Sequence, residues 1–187
     1  MTCAVDWIFI SGGICSYGDE RKPRHVLDLW WSKTPVTLEQ ASCPCSEDNA
    51  DHPVTRITFD EAVGLAAYLG GRLPMSFEWE WAATGGTERK FPWGDSPWNE
   101  RLANLRTSRL GAPTPVRRYA YGSTPEGLLD MAGNVWEWTA TTLPQRGAII
   151  RGGSYNSTPL HATTKFVNAA PIELRSCGIG LRIVRLA

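Results

Sequence analysis

The stretch from Gly127 to Thr139, GLLDMAGNVWEWT, contains the pattern on which the fold prediction depends. Near its end, two large aromatic residues, Trp136 and Trp138, flank the carboxylate of Glu137. Successive side chains of a β-strand point to opposite faces of the sheet. The alternation therefore predicts a strand from Val135 to Thr139, with both indoles on one face and the carboxylate on the other.

Two helices are predicted upstream of this strand. The first runs from Thr58 to Leu69, because Thr58 and Glu61 have the spacing of a capping box. The second runs from Ser76 to Thr84 and is followed by two glycines, which can adopt the left-handed conformation that ends a helix. Further strands are predicted at four apolar runs, which are Val5 to Ile10, His25 to Trp31, Ala148 to Arg151 and Gly180 to Leu186.

Several motifs follow one another along nearly the whole chain in one order. In addition to GLLDMAGNVWEWT they are GRLPMSFEWEWAATGG from Gly71, FPWGD from Phe91, RGGSY from Arg151 and GIGLRIV from Gly178. Weaker matches, WIFISGG, KTPVT and HPVTRITFDEA, precede them in the same order. This series resembles the formylglycine-generating (sulfatase-modifying) domain, a variant of the C-type lectin fold. The resemblance implies one α+β domain over residues 1–187, with mixed sheets, two main helices, long loops and paired N- and C-terminal strands.

Composition restricts the classes of partner. Nineteen basic and nineteen acidic residues give a formal net charge of +0, which disfavours nucleic acid as a partner. No run is long and apolar enough to cross a membrane, and the first ten residues lack the pattern of a signal peptide. The five cysteines are odd in number and are interpreted as reduced thiols. A cytoplasmic protein with no membrane partner is expected.

The resemblance also implies structural calcium. The positions that match the family's calcium ligands are Asp130, Gly133, Val135 and Glu137. Carboxylate and carbonyl oxygens are the ligands that Ca²⁺ takes. A second family site would fall on Asn104, Leu105 and Leu110, but Ser108 stands where the family usually has an aspartate. The alternative for the first site is a surface aspartate and a buried, hydrogen-bonded glutamate.

Three arginines, Arg72, Arg151 and Arg182, lie in motifs dominated by glycine and apolar residues. A buried guanidinium needs a carboxylate or carbonyl partner, so a structural role is predicted for each of them. The candidate partners are Glu78, Glu80 and Asp95.

The redox site of the family is altered in this sequence. The family's copper-dependent oxidases carry two cysteines five residues apart just after Arg-Gly-Gly-Ser, because Cu(I) selects thiolate ligands. Ser157 and Ala162 occupy those positions here, so no copper is expected and an enzyme is disfavoured. Replacement by Cys177 and a remote thiol is an alternative, and Cys43 and Cys45 with His52 form at most half of a zinc site.

A non-catalytic protein-binding module is the preferred interpretation of these changes. Polar groups and one aromatic residue are concentrated just after the altered site, and the interface is predicted at Asn156, Ser157, Thr158, His161, Lys165 and Phe166. Short family members without the copper cysteines resemble immunity proteins, so the expected partner is a cognate antibacterial toxin, as delivered by type VI secretion. The alternatives are a cofactor-dependent oxidase or tailoring enzyme, and a retroelement-diversified ligand-display protein.

Overall fold

The computed structural model describes residues 4–18, 20–42 and 49–187, and these form an α+β fold of the C-type-lectin type, as predicted. Its strands are β1 (Trp7–Ile10), β2 (Gly13–Tyr17), β3 (Lys22–Val26), β4 (Leu29–Ser32), β5 (Trp136–Leu143), β6 (Gly147–Arg151), β7 (Asn168–Pro171), β8 (Ile179–Leu181) and β9 (Val184–Leu186). The two α-helices of the described residues are α1 (Phe59–Tyr68) and α2 (Ser76–Thr84). Long loops connect α2 to β5.

The described strands form three sheets. A three-stranded antiparallel sheet has the order β1-β4-β9, and a two-stranded hairpin joins β2 to β3. The third sheet, of order β7-β6-β5-β8, is mixed because β5 and β8 run parallel while the other pairs are antiparallel. The terminal strands therefore share a sheet, but the expectation that they pair with each other was wrong. Both of them pair with β4, which lies between them.

Two predicted strands are divided in the structure. The segment predicted from His25 to Trp31 separates into β3 and β4 at Leu27 and Asp28, because β3 pairs with β2 whereas β4 belongs to another sheet. The Asp28 carboxylate accepts a hydrogen bond from Gly12 N at 2.7 Å. The segment from Gly180 to Leu186 separates into β8 and β9 around Arg182, whose side chain is fully buried.

The local signals at the helix ends are confirmed. Glu61 N donates to the Thr58 hydroxyl at 3.3 Å, and Thr58 N donates to the Glu61 carboxylate at 2.9 Å, so the capping box is complete. Gly85 follows α2 with a φ of 60°, in the left-handed region. Both helices were thus predicted correctly in type and position.

The apolar core lies on both faces of β5. Trp138 packs with residues of α1, β6 and β8 in one cluster, and Trp136 lies against the same cluster. Trp79 of α2 packs in a second cluster with Trp31 and Met131. Glu137 points toward this second side, where its carboxylate accepts a hydrogen bond from Trp79 Nε1 at 2.7 Å. The predicted division of β5 into an aromatic face and a carboxylate face is confirmed.

Within the described residues no helix is long and apolar enough to cross a bilayer.

Candidate functional site

A buried ion pair joins Glu137, which lies between Trp136 and Trp138 on β5, to Arg182. Arg182 Nε donates to both Glu137 oxygens at 3.1 Å, and Nη2 donates to Oε1 at 3.0 Å. The remaining guanidinium hydrogens bind the backbone carbonyls of Ser32, Lys33 and Leu129. Both side chains are essentially fully buried. Every donor nitrogen of this guanidinium has a partner, so the pair joins the β4 end, the loop before β5 and the link between β8 and β9.

Asp130, the other carboxylate predicted to bind calcium, lies close to this pair. Its backbone is left-handed, with a φ of 56°, and its Oδ2 accepts a hydrogen bond from Arg117 N at 3.0 Å. The pKa of Asp130 is raised to about 6, mainly by burial and to a smaller extent by the charge of Glu137, whereas the hydrogen bond from Arg117 N and the charge of Arg182 lower it. The structure therefore brings the two predicted carboxylate ligands into one electrostatic environment.

Both carboxylates already have protein donors, and this bears on the calcium prediction. The two Glu137 oxygens accept hydrogen bonds from Arg182 and Trp79, so a cation at Glu137 would compete with a guanidinium. The observed donor set fits the hydrogen-bonded glutamate that the sequence offered as an alternative. Asp130, by contrast, is buried and not a surface residue. Calcium at Asp130, Gly133, Val135 and Glu137 stays a prediction.

The second predicted calcium set is partly brought together. Asn104 Nδ2 donates to Ala112 O at 2.9 Å, while its Oδ1 is buried with no hydrogen-bond partner among the described residues. The Ser108 hydroxyl bonds to the backbone of Leu105 and Ala103, and Leu110 is 44% exposed. A buried amide oxygen without a donor suits a hard cation. The hydroxyl that replaces the family's aspartate is engaged by the protein backbone instead.

The other two arginines of the prediction, of which only Arg151 is buried, bind two of the three predicted partners. Arg72 makes a two-pronged ion pair with Glu78, with nitrogen–oxygen distances of 2.7 and 2.8 Å. Arg151 Nη2 donates to Glu80 Oε2 at 2.8 Å, and both side chains are buried. Asp95 instead accepts from the backbone N of Lys90.

The partner of Arg182 was missed by the sequence analysis, which assigned Glu137 to calcium. One signal could have found it. The alternation at Trp136 and Trp138 already directs the Glu137 carboxylate into the interior, where a charge needs a charged partner.

The positions of the copper cysteines are occupied by residues that belong to the protein interior. The Ser157 hydroxyl accepts a hydrogen bond from Ser154 N at 3.0 Å, and its backbone N donates to Ser154 O at 2.8 Å. Ala162 is fully buried and packs with Ala103, Leu105 and Ala132. Neither side chain offers a soft donor, so the pair cannot supply the two thiolates that Cu(I) selects.

A surface cleft of about 430 Å³ lies next to these positions. Its walls include Trp136, Tyr155, Asn156, Ser157 and Cys177. The Tyr155 hydroxyl is 3.0 Å from the Cys177 sulfur, and this hydrogen bond raises the pKa of Tyr155. The sequence placed Cys177 twenty residues beyond Ser157. Only the tertiary structure shows that both residues line the same cleft.

The second cysteine of the described residues lies elsewhere. Cys15 lines a small pocket of about 60 Å³ together with Glu80, and burial raises the pKa of its thiol to about 11. Cys43 and Cys45 fall outside the described residues, as does any zinc half-site built on them. The described chain contains no cluster of three or more His, Cys, Asp or Glu side chains that could hold a metal ion.

Of the residues predicted to bind a partner, Asn156 and Ser157 line this cleft, whereas Lys165 lines the small pocket that contains Cys15. Phe166 contacts the His161 ring edge-on, with ring centroids 4.8 Å apart, and lies 6.2 Å from Trp136. The Thr158 hydroxyl is 3.3 Å from His161 Nδ1, and Lys165 lies 3.6 Å from Glu88. Asn156 and Lys165 are exposed, whereas Ser157 is buried and contributes to the cleft wall.

Comparison with known proteins is consistent with this scaffold. The model of the sulfatase-modifying factor enzyme 1-like domain matches residues 32–187, and the chain belongs to this family. It is 37% identical over 127 residues to a formylglycine-generating enzyme of Mycobacterium tuberculosis, covering 60% of this chain and 42% of that protein. It is 30% identical over 173 residues to an inactive C-alpha-formylglycine-generating enzyme 2 of Mus musculus, covering 83% of this chain and 56% of that protein.

The chain thus spans about half the length of these relatives.

Among solved structures, the chain is similar to the Treponema denticola variable protein 1, with a TM-score of 0.79. The two are 18% identical, and the match covers 95% of this chain and 94% of that one. At this level of identity the likeness concerns the fold.

Proposed function

We propose that this chain is a non-catalytic, protein-binding member of its family that neutralises an antibacterial toxin by occupying the toxin's surface. The observation that supports the absence of catalysis is the packing of Ser157 and Ala162. Ala162 is fully buried among apolar side chains, and the Ser157 hydroxyl is bound to Ser154. A copper ion bound by two thiolates therefore has no ligands at the positions where the family's oxidases hold it.

The surface next to Ser157 is suited to binding a protein partner without catalysing a reaction. The cleft beside Ser157 is about 430 Å³ in volume and presents aromatic and polar side chains together. Aromatic residues with short polar neighbours are typical of protein recognition surfaces. A relative that matches 83% of this chain is named as an inactive enzyme, which agrees with a scaffold that persists without the oxidase activity.

One observation favours the alternative of an oxidase. Cys177 lies in the same cleft as Ser157, beside the Tyr155 hydroxyl. A thiol in this position is a single soft ligand, and a second one is absent from the described wall of the cleft. The oxidase alternative therefore depends on Cys177 and is tested through it.

The experiment is a titration with Cu(I) followed by an oxygen-consumption assay on a cysteine-containing peptide. We expect no stoichiometric copper and no turnover for the wild-type protein. The double variant S157C/A162C serves as the positive comparison, because it restores the two thiols of the oxidase pattern. Turnover by the wild-type protein that is lost in C177S, but kept in C15S, would overturn the non-catalytic role.

The toxin is tested separately, by co-expression with the product of the adjacent gene. We expect a stable complex that is weakened by F166A and K165A and unaffected by Y68A, a change of an exposed aromatic residue on α1. Failure to form any complex with that product would contradict the toxin as the partner.

We further propose a cytoplasmic location and a structural calcium ion. The calcium ion is tested by thermal unfolding: we expect millimolar Ca²⁺ to raise the thermal midpoint of the wild-type protein and not that of D130N.

A further inference from the structure

Positive charge is concentrated in one segment of a chain that has no net charge. Residues 101–125 contain five arginines and no carboxylate, although the formal charge of the whole chain is +0. All five side chains belong to exposed residues, and they are Arg101, Arg106, Arg109, Arg117 and Arg118. The rest of the chain therefore carries the compensating negative charge.

Two of these arginines lie on one short loop, residues 105–111, which we call the arginine loop. It begins with the fully buried Leu105, and Asn104 closes its base by donating a hydrogen bond to Ala112 O at 2.9 Å. A single 3₁₀ turn, Arg106–Ser108, is followed by Arg109 with a φ of 57°. The loop is thus anchored at its base while Arg106 and Arg109 remain exposed.

The arginine loop is packed against the 3₁₀ helix Pro159–Ala162. Leu105 and Ala162 belong to the same buried cluster, and Arg106 N donates a hydrogen bond to Ser157 O at 3.0 Å. Each element also exposes a leucine, Leu110 at 44% and Leu160 at 66%. The two elements therefore pack side by side, and between them they expose both cationic and apolar side chains.

The charges on this surface are not neutralised within the described residues. Arg106 and Arg109 form no ion pair with any described carboxylate, whereas Arg117 pairs with Asp6 at 2.6 Å. Arg101 lies over the ring of the exposed Tyr121, with 4.6 Å from Cζ to the ring centroid. A guanidinium fork on an anchored loop is arranged to receive a carboxylate in two-pronged fashion.

We propose that the arginine loop and the Pro159–Ala162 helix together form a docking surface for an acidic segment of a protein partner. Arginine with exposed apolar neighbours is the composition of protein interfaces, and complementary charge selects the partner and speeds the encounter. Nucleic acid would require a longer basic stripe and a positive domain, and this chain has a formal charge of +0. The inference rests on the protein-binding role proposed above and specifies the chemistry of the partner.

The test measures binding of a fluorescein-labelled decaglutamate peptide to the full chain by fluorescence anisotropy at low salt. Decalysine and a short DNA duplex carrying the same label are the comparison probes. The test variant is R106E/R109E. The matched control is R24E/R56E, which makes the same change in charge at exposed positions, with Arg56 at a positive φ like Arg109. Circular dichroism checks that all variants are folded.

We expect decaglutamate to bind, R106E/R109E to weaken the affinity about tenfold or more, and the control to change it less than about twofold. An equal loss in both variants would assign the binding to overall charge and overturn the proposal, as would the absence of binding. Tighter binding of the DNA duplex with the same arginine dependence would assign the surface to nucleic acid. Oxygen consumption in the earlier assay would remove the non-catalytic role without affecting this result.

Discussion

Two buried arginines with glutamate partners differ in how completely they are satisfied. Arg182 uses all three of its nitrogens, on Glu137 and on three backbone carbonyls. Arg151 uses only Nη2, on Glu80 and Thr164 O, while its Nε and Nη1 are buried without a hydrogen-bond partner. Part of the Arg151 guanidinium lies over the Trp79 ring instead, with Cζ 5.1 Å from the centroid.

The difference shows that equal burial does not imply an equal structural role. A guanidinium saturated by acceptors from several elements fixes those elements relative to one another, whereas an under-satisfied one retains part of its desolvation cost. We therefore expect Arg182 to contribute much more to stability than Arg151. Arg72, whose side chain is 43% exposed, should contribute least of the three arginines that the sequence singled out.

The largest effect is expected for R182A. Removal of the guanidinium leaves the buried Glu137 carboxylate with only the Trp79 donor and removes a hydrogen bond from each of three backbone carbonyls. We therefore expect a loss of about 3–5 kcal/mol in the free energy of unfolding. Urea denaturation followed by tryptophan fluorescence measures it. R185A, which changes an exposed arginine on β9, is the control. A loss of stability in R182A no larger than that in R185A would contradict the greater structural role assigned to Arg182.

A smaller effect, about 2 kcal/mol, is expected for R151A, because this arginine has fewer bonds to lose. Burial raises the pKa of Glu80, and Arg151 acts against that rise, so Glu80 can take up a proton when the arginine is removed. A carboxyl with a raised pKa in the folded state stabilises less as the pH rises above its unfolded value.

The loss of stability in R151A relative to the wild-type protein should therefore be larger at pH 8 than at pH 5. Urea midpoints of both proteins at the two pH values measure this difference. A deficit that is independent of pH, or as large as that of R182A, would contradict this account of Arg151.

The smallest effect is expected for R72A. Its two-pronged pair with Glu78 has good geometry, but the arginine is half in solvent, where water screens the charges. We expect a loss of about 1 kcal/mol or less, measured as a shift of the urea midpoint. Added salt should shrink this loss further, and a loss that is insensitive to salt would show that packing of the arginine stem dominates.

Local signals predicted a large part of this fold. The capping box of Thr58 and Glu61 and the left-handed Gly85 are satisfied by residues a few positions apart, so sequence spacing alone located both helices. Strands β2, β3 and β7 were missed or misplaced. Sequences such as KPRHV and NAAP lack apolar alternation, and they are extended because neighbouring strands pair with them.

The candidate site was predicted less completely than the fold. The replacement of the copper cysteines by Ser157 and Ala162 could be seen in the sequence. The cleft shared by Ser157 and Cys177, and the contact between the arginine loop and Ser157, could not be. These contacts join segments far apart in the chain, and no local pattern specifies which of them meet.

Residue identity at short spacing was enough to predict the family, the alternation that turns Glu137 inward, and the absence of paired sulfur donors after RGGSY. Which carboxylate each buried arginine binds depends instead on how distant segments pack. Glu137 and Arg182 are 45 residues apart, and the fold selects them as partners because both must leave water in the same interior. The packing of loops likewise places the exposed arginines of the arginine loop beside the Pro159–Ala162 helix, and the order of these segments in the chain does not specify that contact.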